Sequence, residues 1–515
     1  MSCFKYLKMT LWNIRLVHEA KMKAKYMSNK ELIRAENISF SYGDQEVLHF
    51  KEFTMYEGEK IGIVGVNGVG KTTFLRLLLG EVNPDKGKVI KNCNPFYFEQ
   101  FSEDFDPFDI DFNEAGQLRI QDKIWQNTVS GGEQTRLRLA QLFSSEKAVV
   151  FIDEPTANLD RKGIELISKR IQGIESLLLI SHDRELCNQV CNRIIEISDG
   201  NIYSYEGNYD SYIIQKENER KHRLTEYEKY TNEKNRLKKI IEKKKEKAKQ
   251  VEKKPTNISG SDAKARAYIA SRKPEGKAKA INKSMINVQN RIAHMDIKEK
   301  PRTDTVIKLD FRLTNPPKNS IVIRGENISF SYDDNLIFED CNILVKNRSK
   351  LAILGDNGTG KTTLLNLISK AKDIYVVPSA KIGYLKQNLS QIDLNKTVLE
   401  NIKSISIQSE SITRMVLARL LLTEKDLNKK AHELSGGEKI KLGLAMLVVG
   451  NYNILIMDEP TNYLDIPSVE ALESILKEYE GTVIFTSHDK TFVDRIATDF
   501  YLIKNKKIVS MYSND

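Results

Sequence analysis

Gly65-Val66-Asn67-Gly68-Val69-Gly70-Lys71-Thr72-Thr73 and, 290 residues later, Gly355-Asp356-Asn357-Gly358-Thr359-Gly360-Lys361-Thr362-Thr363 are two copies of one glycine-rich loop. Both fit the pattern G-x-x-x-x-G-K-[ST]. Its glycines let backbone N–H groups wrap a phosphate with no Cβ in the way, its lysine reaches the outer phosphate oxygens, and its threonine hydroxyl is a Mg²⁺ ligand. Each loop follows a short apolar run (Lys60–Val64, Lys350–Leu354) and precedes a leucine-rich stretch, the strand–loop–helix context the motif requires. The heptapeptide Glu-Asn-Ile-Ser-Phe-Ser-Tyr recurs at 36–42 and 326–332 with the same offset of 290. The chain is therefore a tandem repeat of one nucleotide-binding domain.

Acidic residues recur in step. Asp153-Glu154 and Asp458-Glu459 stand at the ends of the apolar strands read at Ala148–Asp153 and Ile454–Asp458. The first acid of each pair is expected to hold Mg²⁺, directly or through water, and the second to orient or deprotonate an attacking water. His182 and His488 stand 29 and 30 residues beyond the first acids, each within Ser-His-Asp after an apolar run, and are read as contacts to a terminal phosphate. Short apolar runs alternating with helical stretches predict an α/β fold with a mainly parallel sheet in each repeat.

The 515 residues carry a net charge of +10, but residues 213–300 hold 26 basic and 12 acidic side chains, a net +14 that leaves −4 elsewhere. Such confinement points to a polyanionic partner, nucleic acid ahead of a membrane surface. This segment also carries two apolar seams. Leu224, Tyr227, Tyr230, Leu237, Ile241, Ala248 and Val251 recur near a helical period, and Ile281, Met285, Val288, Ile292 and Met295 keep a 4-3-4-3 spacing. Pro255, Gly260, Pro274 and Gly276 lie between them. The pattern predicts an antiparallel helical hairpin, with helices at about 213–251 and 277–298 and a basic tip near 252–275. The domains are read as an N-terminal extension 1–30, a first repeat 31–212, a linker 213–315 and a second repeat 316–515. Five scattered cysteines suit a reducing compartment, and Cys187 and Cys191 are read as buried thiols rather than half a metal site. No apolar run approaches a membrane span, and the expected location is cytoplasmic.

The residues that narrow the class are Ser130-Gly131-Gly132-Glu133 and Ser435-Gly436-Gly437-Glu438, each 23 residues before its aspartate. This resembles the signature of ABC ATPases. Gln100 and Gln387 match the family's Q-loop position, with a part in Mg²⁺ binding, and Tyr42 and Tyr332 match its adenine-stacking position. Family resemblance implies a head-to-tail pair of domains within one monomer, with two ATP and two Mg²⁺ sites. One site would join Gly65, Asn67, Gly68, Gly70, Lys71, Thr72 and Thr73 to Ser435 and Gly437. The other would join Gly355, Asn357, Gly358, Gly360, Lys361, Thr362 and Thr363 to Ser130 and Gly132. Glu154, Glu459, His182 and His488 would be catalytic, and Thr72, Asp153, Thr362 and Asp458 would hold the metal.

Two such domains around a basic hairpin resemble the ABC-F family, as do the Glu after Ser-Gly-Gly and Asp458-Glu-Pro-Thr-Asn-Tyr-Leu-Asp465. That resemblance implies binding in the E site of the 70S ribosome, with the hairpin reaching 23S rRNA near the peptidyl transferase centre and the P-site tRNA. The distance from Gln100 to Ser130 is 30 residues, against 48 from Gln387 to Ser435, so the first helical subdomain is trimmed and carries no extra arm. This form is similar to the antibiotic-resistance group, which acts against lincosamides, streptogramin A and pleuromutilins. Arg266, Tyr268 and Ile269 at the hairpin tip are the expected drug-site neighbours. Alternatives are a translation factor relieving stalled ribosomes without a drug role and, remotely, the ATPase subunit of an exporter. The first acidic motif departs from the family at Ala157, so the coupling between the two sites is expected to be unequal.

Overall fold

The computed structural model describes residues 30–99, 106–126, 129, 131–144, 149–156, 159–252, 274–298, 309–386 and 388–511. Gln100, Ser130, Gln387, Ala157, Asn158 and the hairpin-tip candidates Arg266, Tyr268 and Ile269 lie outside these residues. The chain is α/β and divides into two compact units, residues 1–212 with 306–515, and residues 213–305.

In the first unit each repeat builds the same pair of sheets. Strands Phe96–Phe98, Val149–Asp153, Ser176–Ile180, Lys60–Val64 and Arg193–Ser198 lie parallel in that spatial order, with Asn201–Glu206 antiparallel at the edge. The second copy orders Ile382–Leu385, Ile454–Asp458, Thr482–Thr486, Lys350–Leu354 and Asp499–Lys504 in the same way, edged by Lys507–Met511. The central strands are buried along their whole length, which is why they read as unbroken apolar runs. A three-stranded antiparallel sheet packs beside each, Gln45–Tyr56, Glu31–Tyr42 and Lys86–Lys91 in the first repeat. The phosphate-loop helix Lys71–Leu79 is clamped between them. Its Phe74 is fully buried, with ring centroids 5.1 Å from Phe53 and 5.7 Å from Phe50. Losing such a ring costs about 3–5 kcal/mol, so the position of the loop is set by the core.

The repeats differ beside their signatures. The second packs two helices, Val398–Lys403 and Glu410–Arg419, near the signature helix Gly436–Val449, burying Val416, Leu417 and Leu420. Among the described residues the first has the short helix Phe112–Gln117 between two 3₁₀ turns. Residues 309–314 also belong with this unit. Phe311 lies 5.3 Å from Tyr479 and Asp310 N–H donates to Gln408. A 3₁₀ turn forms at Phe311–Thr314.

The 213–305 unit holds most of the helix Tyr209–Glu252 and the helix Pro274–Ala293. The 44 residues of the first helix span about 66 Å. Arg291 pairs with Glu233 at 3.0 Å, and Lys244 donates to the hydroxyl of Ser284. Partners that advance along one helix retreat along the other, so the two helices run antiparallel. Leu237 and Ala248 are buried, while Ile281, Met285, Val288 and Ile292 are half-buried. The second helix corrects the expected bounds at both ends. It starts at Pro274, whose missing N–H and fixed φ suit a first helical position, and it ends before Met295. No helix among the described residues is long and apolar enough to cross a membrane.

Candidate functional site

Both glycine loops take the same backbone path. Gly65, Gly68 and Gly70 have φ of 153°, 78° and 102°, and Gly355, Gly358 and Gly360 have 154°, 77° and 100°. A Cβ on Gly70 would lie 2.7 Å from Val47, and one on Gly360 2.6 Å from Ile337, so only glycine fits the turn into the helix. Lys71 Nζ donates to the Gly65 carbonyl at 2.9 Å and to Asn67 Oδ1 at 3.3 Å. Lys361 Nζ donates to the Gly355 carbonyl at 2.8 Å. Each ammonium is thus held over its own loop, and burial lowers both pKa values.

The loop threonine meets the strand-end aspartate in each copy. Thr72 Oγ1 donates to Asp153 at 2.9 Å and Thr362 Oγ1 to Asp458 at 2.7 Å. A hydroxyl and a carboxylate side by side at the mouth of a phosphate loop are hard oxygen donors of the kind Mg²⁺ takes. The next residue is strained. Glu154 and Glu459 have φ of 50° and 49°, left-handed values that are costly for a side chain this long. The turn aims each carboxylate into the site. Oε2 accepts from the His182 or His488 backbone N–H at 3.2 and 3.1 Å. The histidine Nε2 lies 3.3 Å from Oε1 in both copies, yet Oε1 is buried with no aligned hydrogen-bond donor among the described residues. Such an oxygen is fit to accept from a water beside the terminal phosphate. Burial pushes Glu154 up to about 8 against the pull of Lys71, and Glu459 up to about 7 against Lys361. Burial, reinforced by the nearby lysines, takes His182 down to about 3 and His488 to about 4, so both rings are neutral near pH 7. Tyr42 and Tyr332 are each half-exposed, held edge-on by Phe40 and Phe330, with a free face.

The two repeats meet at these sites. Asn67 N–H donates to Asp465 Oδ2 at 2.7 Å and its side-chain amide to the Tyr463 carbonyl at 3.0 Å, joining the first loop to the segment after the second acid pair. Asp465 is fully buried. Burial raises its pKa, but Lys441 at 3.3 Å and hydrogen bonds from Ser468 and Asn67 outweigh that and hold the carboxyl below its usual range. A Cβ on signature Gly437 would lie 2.8 Å from the Tyr463 carbonyl and 3.2 Å from the Asn67 amide, so the second signature abuts the first phosphate loop. The opposite site differs. There Lys162 bridges to Asp356 at 2.6 Å, and Asn357 Oδ1 lies 3.1 Å from His488. Between the sites, Arg184 on the first repeat meets Glu473 on the second at 2.8 Å, both almost fully buried, and Glu473 also takes Arg495 at 2.8 Å.

Sequence reasoning placed the loop, acid and histidine residues but missed Asp465, Lys441 and the Arg184–Glu473 pair as contacts. One available signal was the basic residue following Ser-His-Asp in both copies, Arg184 and Lys490.

An ABC transporter family profile matches residues 48–157 and 338–462, and a second profile of the same description matches 195–259. The erythromycin resistance ATP-binding protein MsrA of Staphylococcus epidermidis is 31% identical over 484 residues, covering 90% of this chain and 96% of that protein. The chain belongs to the ABC-F family. It is an ABC-type ATPase, and ATP with Mg²⁺ is the ligand its family binds. The ribosome protection protein VmlR of Bacillus subtilis (strain 168) is 28% identical over 500 residues, covering 93% of this chain and 88% of that protein. Among solved structures, RNase-L Inhibitor superposes with a TM-score of 0.62 at 16% identity, over 93% of this chain and 91% of that one, which shows a shared tandem fold.

Proposed function

We propose that this protein is a cytoplasmic, monomeric ribosome-protection factor. In its ATP-bound state it occupies the E site of the 70S ribosome and extends its hairpin along the P-site tRNA toward 23S rRNA of the peptidyl transferase centre. The observation that carries this reading is the length of the match to VmlR, whose name states ribosome protection. It spans both ATPase repeats and the interdomain hairpin. The hairpin's net charge of +14 supports it, since phosphate contacts dominate RNA affinity and A-form helices are recognised by shape.

Two ATP sites work at the interface between repeats. At the first, Lys71 and the N–H groups of the Gly65–Thr73 loop bind the phosphates, and Ser435 and Gly437 cap the terminal phosphate from the opposite repeat. At the second, Lys361 and its loop act with Ser130 and Gly132. Tyr42 and Tyr332 stack on adenine. Thr72 and Asp153, and Thr362 and Asp458, with Gln100 and Gln387, would hold Mg²⁺, which would supply neutralisation of phosphate charge. Glu154 and Glu459 align water for attack and accept its proton, a role suited by their raised pKa. Neutral His182 and His488 position those carboxylates and the terminal phosphate. Hydrolysis removes the phosphate that bridges loop and signature and so releases the factor. Arg266, Tyr268 and Ile269 at the tip act nearest the drug.

Purified 70S ribosomes translating a reporter in the presence of a lincosamide, a streptogramin A or a pleuromutilin test this reading. Added protein with ATP is expected to restore synthesis against at least one class. Ribosome binding with no restoration in any class would replace drug protection by a role in relieving stalled translation.

A further inference from the structure

The trimmed helical subdomain of the first repeat leaves an aromatic surface uncovered. Phe108 and Trp125 form an edge-to-face pair with ring centroids 5.3 Å apart, yet they are 84% and 65% exposed. Phe112, four residues beyond Phe108, is 63% exposed. In the second repeat the matching segment, residues 388–434, has no Phe, Tyr or Trp, and its extra helix covers the neighbouring apolar side chains. Water contact on two rings of this size is unfavourable, and exposed clusters of this kind mark contact sites.

Charge says what they meet. Residues 106–126 carry five acidic and two basic side chains, whereas 388–434 carry six acidic and seven basic. Asp106, Asp109 and Asp111 flank Phe108 and are all exposed. Their positions are fixed. Asp106 accepts from the Phe108 N–H, Asp111 from the N–H groups of Asn113 and Glu114, and Asp109 from Gln141. Phosphates would be repelled from this surface, while guanidinium and ammonium groups would find aromatic faces and carboxylates together. We infer that the Phe108–Trp125 surface is a docking site for an arginine- and lysine-rich protein segment, distinct in chemistry from the RNA-directed hairpin.

The sequence offers its own reporter, because Trp12 and Trp125 are the chain's two tryptophans. In full-length Trp12→Phe protein, Trp125 emission is titrated with octa-arginine, octa-glutamate and octauridylate. Octa-arginine is expected to shift the emission saturably and the other two to leave it unchanged. The triple variant Asp106→Asn, Asp109→Asn, Asp111→Asn keeps each side chain's hydrogen-bonding shape and the ATPase rate. It should bind octa-arginine at least about tenfold more weakly. Phe108→Ala, which removes only one ring, should weaken binding as well. A shift with octauridylate alone, or with no probe, would overturn the proposal. So would low acrylamide quenching of Trp125 in the free protein, since the chain's own basic N-terminal segment, residues 1–29, would then be the occupant.

Discussion

Replacing Glu473 with alanine isolates the most buried ion pair among the contacts that hold the two repeats together. Its carboxylate accepts from Arg184 of the opposite repeat and from Arg495 of its own, each at 2.8 Å. The Arg184 side chain is 3% exposed and that of Glu473 5%, and among the described residues the Nε and second amino group of Arg184 have no hydrogen-bond partner. Arg495 is 43% exposed and can turn to water, but Arg184 cannot while the repeats stay together. Removing one partner of a buried pair costs about 3–5 kcal/mol, because Arg184 loses its ion-pair partner and keeps only the longer-range charges of Glu470 and Asp489. Since the partners belong to different repeats, the cost falls on closure rather than on the folding of either repeat. At about 1.4 kcal/mol per tenfold, the closed state should weaken by roughly two to three and a half orders of magnitude. Release of a fluorescent ATP analogue from protein already carrying Glu154→Gln and Glu459→Gln reads this directly, because closure traps the nucleotide. Release should accelerate by about that range. Glu473→Gln, which keeps an acceptor, should do less, and Arg184→Met combined with Glu473→Ala should recover part of the loss. Unchanged release accompanied by a lower melting temperature would show instead that the pair stabilises one repeat and not the interface.

Other outcomes follow from the same geometry. Asp465→Asn should disturb the first site strongly, since the buried carboxylate serves both Asn67 and Lys441. Asp356→Asn at the second site should change nucleotide release by less than about fivefold, because its bridge to Lys162 is exposed and worth about 0–1 kcal/mol. Equal effects would remove the asymmetry. Gly360→Val places a branched side chain at φ 100° against Ile337 and should abolish ATP binding at one site, so calorimetry should count one bound ATP instead of two. The folded pKa values of Glu154 and Glu459, about 8 and about 7, lie above their ordinary 4.5, so the folded state binds extra protons in that window. The contribution is present below about pH 4.5 and is lost as pH rises through 7 and 8. The nucleotide-free melting temperature of the Glu154→Gln, Glu459→Gln variant should therefore gain on that of the parent between pH 5 and pH 8, a range set by those pKa values. His182 and His488 act in the opposite sense at lower pH and cancel in the comparison. A constant difference would show that the carboxyls are not desolvated.

Residues whose role is set by neighbours in sequence were legible without coordinates. The loop strands Lys60–Val64 and Lys350–Leu354 fall where the apolar runs lie, because a strand buried on both faces has no polar positions to blur its ends. Thr72 and Asp153, and Thr362 and Asp458, were read from two separate motifs as ligands of one Mg²⁺, and in both copies they lie within hydrogen-bond distance. Contacts between repeats were not legible. Asn67 and Asp465 are 398 residues apart, and nothing local to either requires the other. Glu473 reads as one more charge on a helix until Arg184 is placed against it. Pro274 misled for a local reason, since proline breaks helix interiors yet favours a first turn, and only the position of the turn decides which applies.

On the proposed function, ATP-driven closure of the two repeats commits the protein to the ribosome. The Glu154→Gln, Glu459→Gln variant, incubated with purified 70S particles and pelleted through sucrose, tests it most directly. With ATP the variant should co-sediment near one copy per ribosome and resist a salt wash, and with ADP it should stay in the supernatant. Equal recovery with either nucleotide, or none with ATP, would contradict it.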